Sequence, residues 1–149
     1  MITEERVLDF IRSFGVDRGS EALHMIEKEA IRDDVPIIRK ESGELLRILL
    51  QIKKPEKILE VGAAIGFSSV FMGENTGKNT HITTIENYEK RIPIARENFR
   101  RAGKEDKITL IEGDATEVLA EMEGTFDFIF MDAAKGQYIH YLPNVLRLL

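Results

Sequence analysis

The chain has 149 residues, 43% of them hydrophobic and 32% charged, with a net charge of −5 and no cysteine. That size and balance fit one compact domain able to bury a core, and they exclude disulfides, thiolate metal sites and a sequence-wide basic field for nucleic acid. No stretch approaches a membrane span, and residues 1–10 are mixed and charged rather than a signal-type apolar run, so the expected setting is cytoplasmic, with no membrane partner.

Val7, Leu8, Ile11 and Phe14 recur at helical spacing over 4–14. Ser20 is placed to cap a second helix built on Leu23, Ile26 and Ala30, which Pro36 ends. Residues 33–38 form a connector, and Ser42 is expected to cap a third helix whose apolar face is Leu45, Leu46, Leu49 and Ile52. Residues 1–54 thus form a helical prelude.

From residue 55 the pattern alternates. Strands are expected at 57–61, 80–85, 107–111 and 126–131, with helices at 66–75, 88–102, 115–122 and 137–148. Strand–helix repetition implies crossovers and a parallel sheet, hence an α/β fold in one domain over 1–149. Phe126-Asp-Phe-Ile-Phe-Met131 is nearly all apolar, as in a strand covered on both faces. Four strands with a helix as the last element leave such a sheet half built. The chain is therefore expected to be truncated, with C-terminal strands missing and the far edge of the 126–131 strand bare.

The most informative stretch is Ile58-Leu-Glu-Val-Gly-Ala-Ala-Ile-Gly-Phe-Ser-Ser69, a strand, a glycine turn and the start of a helix. Glu86 follows Gly66 by 20 residues, at the end of the next strand. Glycines allow close approach of backbone to ligand, and a carboxylate there accepts from ribose hydroxyls. The row reads Glu60-x-Gly62-x-x-x-Gly66, with Ala64 where a dinucleotide fingerprint has its middle glycine, so pyrophosphate loses its usual support. An acidic residue two before the first glycine suits a ligand carrying an ammonium and a sulfonium. A plain strand–helix turn, with Glu86 as a helix cap or solvated charge, is the simpler alternative.

After the third strand, Asp114 of Gly113-Asp-Ala115 reads both as a helix N-cap and as a group facing an adenine. Asp132, closing the fourth strand, sits where parallel sheets place ligands and fits a hard divalent cation, or equally a helix cap. Lys135 lies three residues further on, and an isolated lysine is usually solvated. His24, His81 and His140 show no metal-type spacing. Residues 90–107 carry seven lysines and arginines interleaved with acids, a solvated helix face or a local nucleic-acid patch.

ILEVGAAIGFSS, TTIE, GDA and FDFIFMDAAKGQY, in this order, resemble the class I S-adenosylmethionine-dependent O-methyltransferases related to catechol and caffeoyl-CoA O-methyltransferases. The likeness is firm over about 35–132 and looser over the prelude. Within that group VPIIRK, IGFSS and DAAKGQY look like the bacterial tRNA 5-hydroxyuridine methyltransferases.

The resemblance implies a Rossmann-like class I methyltransferase fold with an N-terminal helical prelude, S-adenosyl-L-methionine as cofactor, and Mg²⁺ or another divalent cation. It implies Glu60, Gly62 and Ser68 at the methionine end of the cofactor, Glu86 at the ribose, Asp114 and Ala115 by the adenine, and Ile38 closing over the ligand. Asp132 would be the first metal ligand and border the cofactor, and Lys135 matches the family's general base. The family's other two metal ligands, an Asp-Asn pair after the next strand, would fall beyond Leu149, which puts metal binding by this chain in question. The reaction implied is methylation of tRNA 5-hydroxyuridine to 5-methoxyuridine at the anticodon. The alternatives are a small catechol-like or CoA-linked phenolic acceptor, or a non-catalytic S-adenosylmethionine-binding fragment. A bare sheet edge and an apolar prelude make a homodimer the expected assembly.

Overall fold

A computed structural model of the chain describes residues 4–13, 19–133 and 135–149. The prelude is three helices, α1 (Glu4–Ser13), α2 (Glu21–Arg32) and α3 (Lys40–Lys53). Strands β1 (Lys57–Val61), β2 (His81–Glu86), β3 (Ile108–Glu112) and β4 (Phe128–Met131) then alternate with α4 (Phe67–Glu74), α5 (Ile92–Arg101) and α6 (Ala115–Glu121). A 3-10 turn (Lys135–Gln137) leads into α7 (Tyr138–Leu148). Among the described residues, no helix is long and apolar enough to cross a membrane.

The four strands are all parallel, in the order β3-β2-β1-β4. The chain builds outward from β1 to β3, then returns to add β4 on the other flank of β1. The strand order therefore reverses between β1 and β4, and open parallel sheets bind ligands at such a reversal, beyond the carboxyl ends of the strands. Strand side chains alternate between faces. Ile58 of β1 and Ile82 of β2 join a core with Leu23, Ile26, Leu46, Leu50, Val70 and Phe99, so α2, α3, α4 and α5 share one face. Leu59, Val61 and Ile85 join Leu119, Tyr141, Val145 and Leu148 from α6 and α7 on the other.

The parallel sheet and the eight core elements agree with the sequence expectation, and the differences are local. Ser20 caps α2, its side chain accepting from the Leu23 amide at 3.1 Å. Ser42 does not cap α3: the helix starts earlier, at Lys40, with Arg39 as N-cap and no side-chain cap bond. Of the apolar face expected for α3, only Leu46 is buried, while Leu45 and Ile52 are 59% and 75% exposed. The apolar arc of the helix is wider than its contact with the core, and only the stripe Gly43, Leu46, Leu50 is buried. The fifth helix begins at Ile92 rather than 88 because residues 88–91 form a turn, with the Arg91 amide donating to the Tyr88 carbonyl at 2.8 Å and Pro93 in the first helical turn. β4 starts at Phe128, since the Asp127 carboxylate is spent on the amides of Glu56 and Lys57, both at 2.8 Å. Phe128 and Phe130 of β4 pack against the first core and Ile129 and Met131 against the second, so both faces are covered as the apolar sequence suggests, while the strand, paired among the described residues with β1 alone, stays half-buried along its other edge.

Candidate functional site

The loops at the carboxyl ends of the strands enclose a cavity of about 800 Å³, within the range of small-molecule and cofactor sites. Strand spacing of about 4.8 Å and the order β4-β1-β2-β3 make it a trough roughly 15 Å long. Asp132 stands at one end, the glycine turn after β1 and Glu86 in the middle, and Gly113–Thr116 at the other end.

The turn between β1 and α4 departs from ordinary backbone at three places: Gly62, Ala64 and Gly66 have φ of +99°, +47° and +83°. A Cβ on Gly62 would lie 2.7 Å from the Asp132 carbonyl oxygen, and one on Gly66 would lie 2.4 Å from the Phe99 ring. Ala64 stands where a glycine was missed in the fingerprint, and it still adopts the left-handed conformation, at a cost of about 1–2 kcal/mol for an L-residue. Tertiary bonds hold it there. The amides of Gly62 and Ala63 donate to the Ile85 carbonyl at 3.0 and 3.1 Å, and the buried Asn98 amide donates to the Ile65 carbonyl at 2.8 Å.

Glu86 is buried, with its carboxylate taking three backbone amides: Ala64 at 2.7 Å on one oxygen, Asn87 at 3.0 Å and Tyr88 at 2.9 Å on the other. A carboxylate has about four acceptor sites, so capacity remains on the oxygen bonded to Ala64 for a ligand hydroxyl. Asp114 is the N-cap of α6, accepting from the Thr116 amide at 2.8 Å, and that bond holds its carboxyl below the usual carboxylate range. It also lines the cavity, so both readings of Asp114 hold together.

Glu60 lies behind the cavity wall instead of on it. β1 and β2 pair Glu60 opposite Thr84, on the face toward α4. Its wholly buried carboxyl accepts from the hydroxyls of Ser68, Ser69 and, at 2.5 Å, Thr84. Burial pushes this carboxyl up, the three hydroxyls oppose the shift, and Asp132 adds to it. Ser68 lines the cavity, so Glu60 reaches the site through Ser68.

Of the residues singled out from sequence, Ile38, Gly62, Ser68, Glu86, Asp114, Ala115 and Asp132 all line this one cavity. Lys135 opens the 3-10 turn beyond Asp132, but its side chain lies outside the described residues. Sequence reasoning missed Tyr88, Arg91, Gln137 and Tyr141, which complete the wall. Arg91 falls in the basic stretch 90–107 and Gln137 in the DAAKGQY motif, but neither signal assigns them to the cavity, and nothing in the sequence marks Tyr88 or Tyr141.

The donors suit the two expected ligands unequally. A turn of close backbone, an acid at the end of β2 and further cavity beyond it at Gly113–Thr116 fit an adenosyl cofactor. For a metal, Asp132 supplies one exposed carboxylate, and among the described residues no three His, Cys, Asp or Glu side chains converge. Mg²⁺ is held by one or two carboxylates together with water and substrate oxygens, so Asp132 fits as one ligand of a set that the described residues do not complete. Three of the seven cations in the basic stretch 90–107 meet carboxylates: Arg96 pairs with Glu112, Arg100 with Glu97 and Arg101 with Glu29, while the Lys107 ammonium sits on the Gly73, Thr76 and Gly77 carbonyls.

Comparison with known proteins bears on the same residues. A family model described as O-methyltransferase matches residues 15–149. A catechol O-methyltransferase from Niastella koreensis is 34% identical over 110 residues, covering 71% of this chain and 50% of that protein. A caffeoyl-CoA O-methyltransferase from Populus kitakamiensis is 32% identical over 113 residues, covering 72% and 48%. The crystal structure of an O-methyltransferase from Bacillus cereus in complex with SAH superimposes with a TM-score of 0.81 at 26% identity, over 95% of this chain and 67% of the other. The chain spans about half the length of the curated relatives it matches.

Proposed function

The chain belongs to the O-methyltransferase family, and on that premise we propose that its cavity binds S-adenosyl-L-methionine for methyl transfer to a hydroxyl oxygen. The observation that carries this reading is convergence: loops from four separate strands bring Gly62, Glu86, Asp114 and Asp132 to one trough. Bound there, the cofactor supplies an electrophilic methyl group on a sulfonium. Glu86 accepts from the ribose hydroxyls, and its amide-bonded carboxylate needs no reorganisation to do so. Ser68, steadied by Glu60, meets the aminoacyl end. Asp132, at the other side of Gly62, offers its charge to the ammonium and sulfonium.

A divalent cation at Asp132 would lower the pKa of an acceptor hydroxyl, and we propose metal dependence on that basis. Lys135, which matches the family's general base, is placed by the backbone in the turn just past Asp132.

For the acceptor we propose a small catechol-like or CoA-linked phenol. The pairing of Arg96, Arg100 and Arg101 favours it, since a phosphate backbone would have to compete with their carboxylate partners, and relatives bearing those names support it. The second reading, 5-hydroxyuridine of tRNA, rests on the VPIIRK segment, whose Pro36, Ile37 and Ile38 form part of the cavity wall. We further propose a cytoplasmic homodimer in which the exposed Leu45, Ile48, Leu49 and Ile52 of α3 are covered.

Calorimetric titration with S-adenosylmethionine, with and without Mg²⁺, tests cofactor and metal. Absence of binding under both conditions would refute the cofactor reading, and metal-independent methylation would refute the metal role. Methylation of hypomodified tRNA against a catechol at several salt concentrations decides the acceptor. A tRNA-dependent rate that falls steeply with salt would overturn the small-phenol proposal.

A further inference from the structure

Arg91 closes the turn after β2, and its guanidinium carbon stands 5.3 Å from the centroid of the Tyr88 ring. It lines the cavity and, among the described residues, has no ion pair. Three carboxylates at that end are already engaged. Glu86 holds three amides, Asp114 caps α6, and the nearby Glu112 pairs with Arg96 at 2.6 Å. The Tyr88–Arg91 turn is itself fixed, because the Tyr88 amide donates to Glu86 and the Arg91 amide donates back to the Tyr88 carbonyl. An arginine with no ion pair among the described residues thus stands over Tyr88 in the same cavity wall as Glu86.

Its location selects what it meets. Strands β2 and β3 are neighbours, so the turn after β2 and the Gly113–Ala115 segment after β3 flank the end of the trough away from Asp132. With the ribose at Glu86 and the cationic groups toward Asp132, the purine occupies that end.

We infer that Arg91, braced on Tyr88, recognises the purine of the cofactor and sets the direction in which the cofactor lies. The inference rests on the cofactor reading above. A guanidinium stacks on the face of an aromatic ring and makes planar contacts that an ammonium cannot. Among the described residues Arg91 is also the only lysine or arginine lining the cavity. It disfavours the reversed placement, which would bring sulfonium and ammonium against it.

The test is calorimetry on the wild-type protein and the Arg91→Ala and Arg91→Lys variants. Each is titrated with S-adenosylhomocysteine and with 5′-methylthioadenosine, which keeps the adenosine and lacks the aminoacyl end. Arg91→Ala is expected to weaken both ligands about tenfold, and Arg91→Lys to recover only part of that loss. Wild-type affinity of Arg91→Ala for 5′-methylthioadenosine overturns the inference, as does a loss confined to S-adenosylhomocysteine. Should Arg91→Ala fail to fold, wild-type affinity of Arg91→Lys for 5′-methylthioadenosine overturns it equally. A wild-type protein that binds neither ligand refutes the cofactor reading and this inference with it. A binding wild type with indifferent variants refutes the inference alone.

Discussion

The amide of Ala64, inside the left-handed glycine turn, donates to the Glu86 carboxylate at 2.7 Å. One bond therefore ties the loop after β1 to the acid that closes β2, and each fixes the other before any ligand arrives. Replacing Glu86 by Gln would set an amide N–H₂ against one or two of the three backbone N–H donors. Each buried donor left without a partner costs about 1–3 kcal/mol. Glu86→Gln is expected to lower stability in denaturant titrations by that order and to weaken S-adenosylhomocysteine binding at least tenfold by calorimetry. Unchanged stability with weakened binding would show that the carboxylate serves the ligand and not the turn.

Gly62→Ala should be damaging for a separate reason. Its Cβ would meet backbone, the Asp132 carbonyl oxygen at 2.7 Å, on a residue at φ +99°. Backbone yields less readily than a side-chain tip, and the left-handed conformation adds strain, so a loss of about 1–3 kcal/mol is expected. Gly77→Ala is the control: nothing lies within 4 Å of its added Cβ, and its unfolding free energy should change by no more than about 0.5 kcal/mol.

Glu60 gives a pH signature. Burial raises its carboxyl pKa in the folded state. Above the unfolded value of about 4.3, the folded chain keeps a proton that the unfolded chain has released, so stability falls as pH rises until the folded pKa is passed. Glu60→Gln has no such titration. Its melting temperature relative to wild type should climb with pH from about 4 upward and then level off. A difference that stays flat from acid to neutral pH would mean that the hydroxyls of Ser68, Ser69 and Thr84 offset the burial in full.

Asp127 has the opposite sign. Its carboxylate is held below the usual range by the amides of Lys57 and Glu56, so the stability it contributes is present above the unfolded pKa of about 3.9 and is lost as pH falls through the folded value. Asp127→Ala should melt below wild type at neutral pH, and the gap should close in acid. Because these bonds join the start of β4 to the start of β1, hydrogen exchange along Phe128–Met131 should also speed up in the variant.

Much of this molecule was legible without coordinates because its signals are local. Short apolar runs bounded by turn residues separate β1 through β4 from the longer helical segments between them. The Gly62–Gly66 turn, Glu86 and Asp132 each stand at a strand end, so a parallel sheet brings them to one edge whatever the helices do. Errors arose where a local pattern is too broad: the apolar arc of α3 spans about half the helix, and only packing against α2 and α4 selects Leu46 and Leu50 over Leu45 and Ile52.

What the linear order of residues determined by itself was the alternation of elements and the chemistry at their ends, since both follow from spacing along one chain. Tertiary structure alone decided that Glu60 is sealed behind Ser68, that the α5 arginines are spent on partners as distant as Glu29, and that Arg91 is left free to line the trough. Those outcomes depend on which side chains other elements deliver to the same few cubic ångströms, and no spacing within a single segment encodes that meeting.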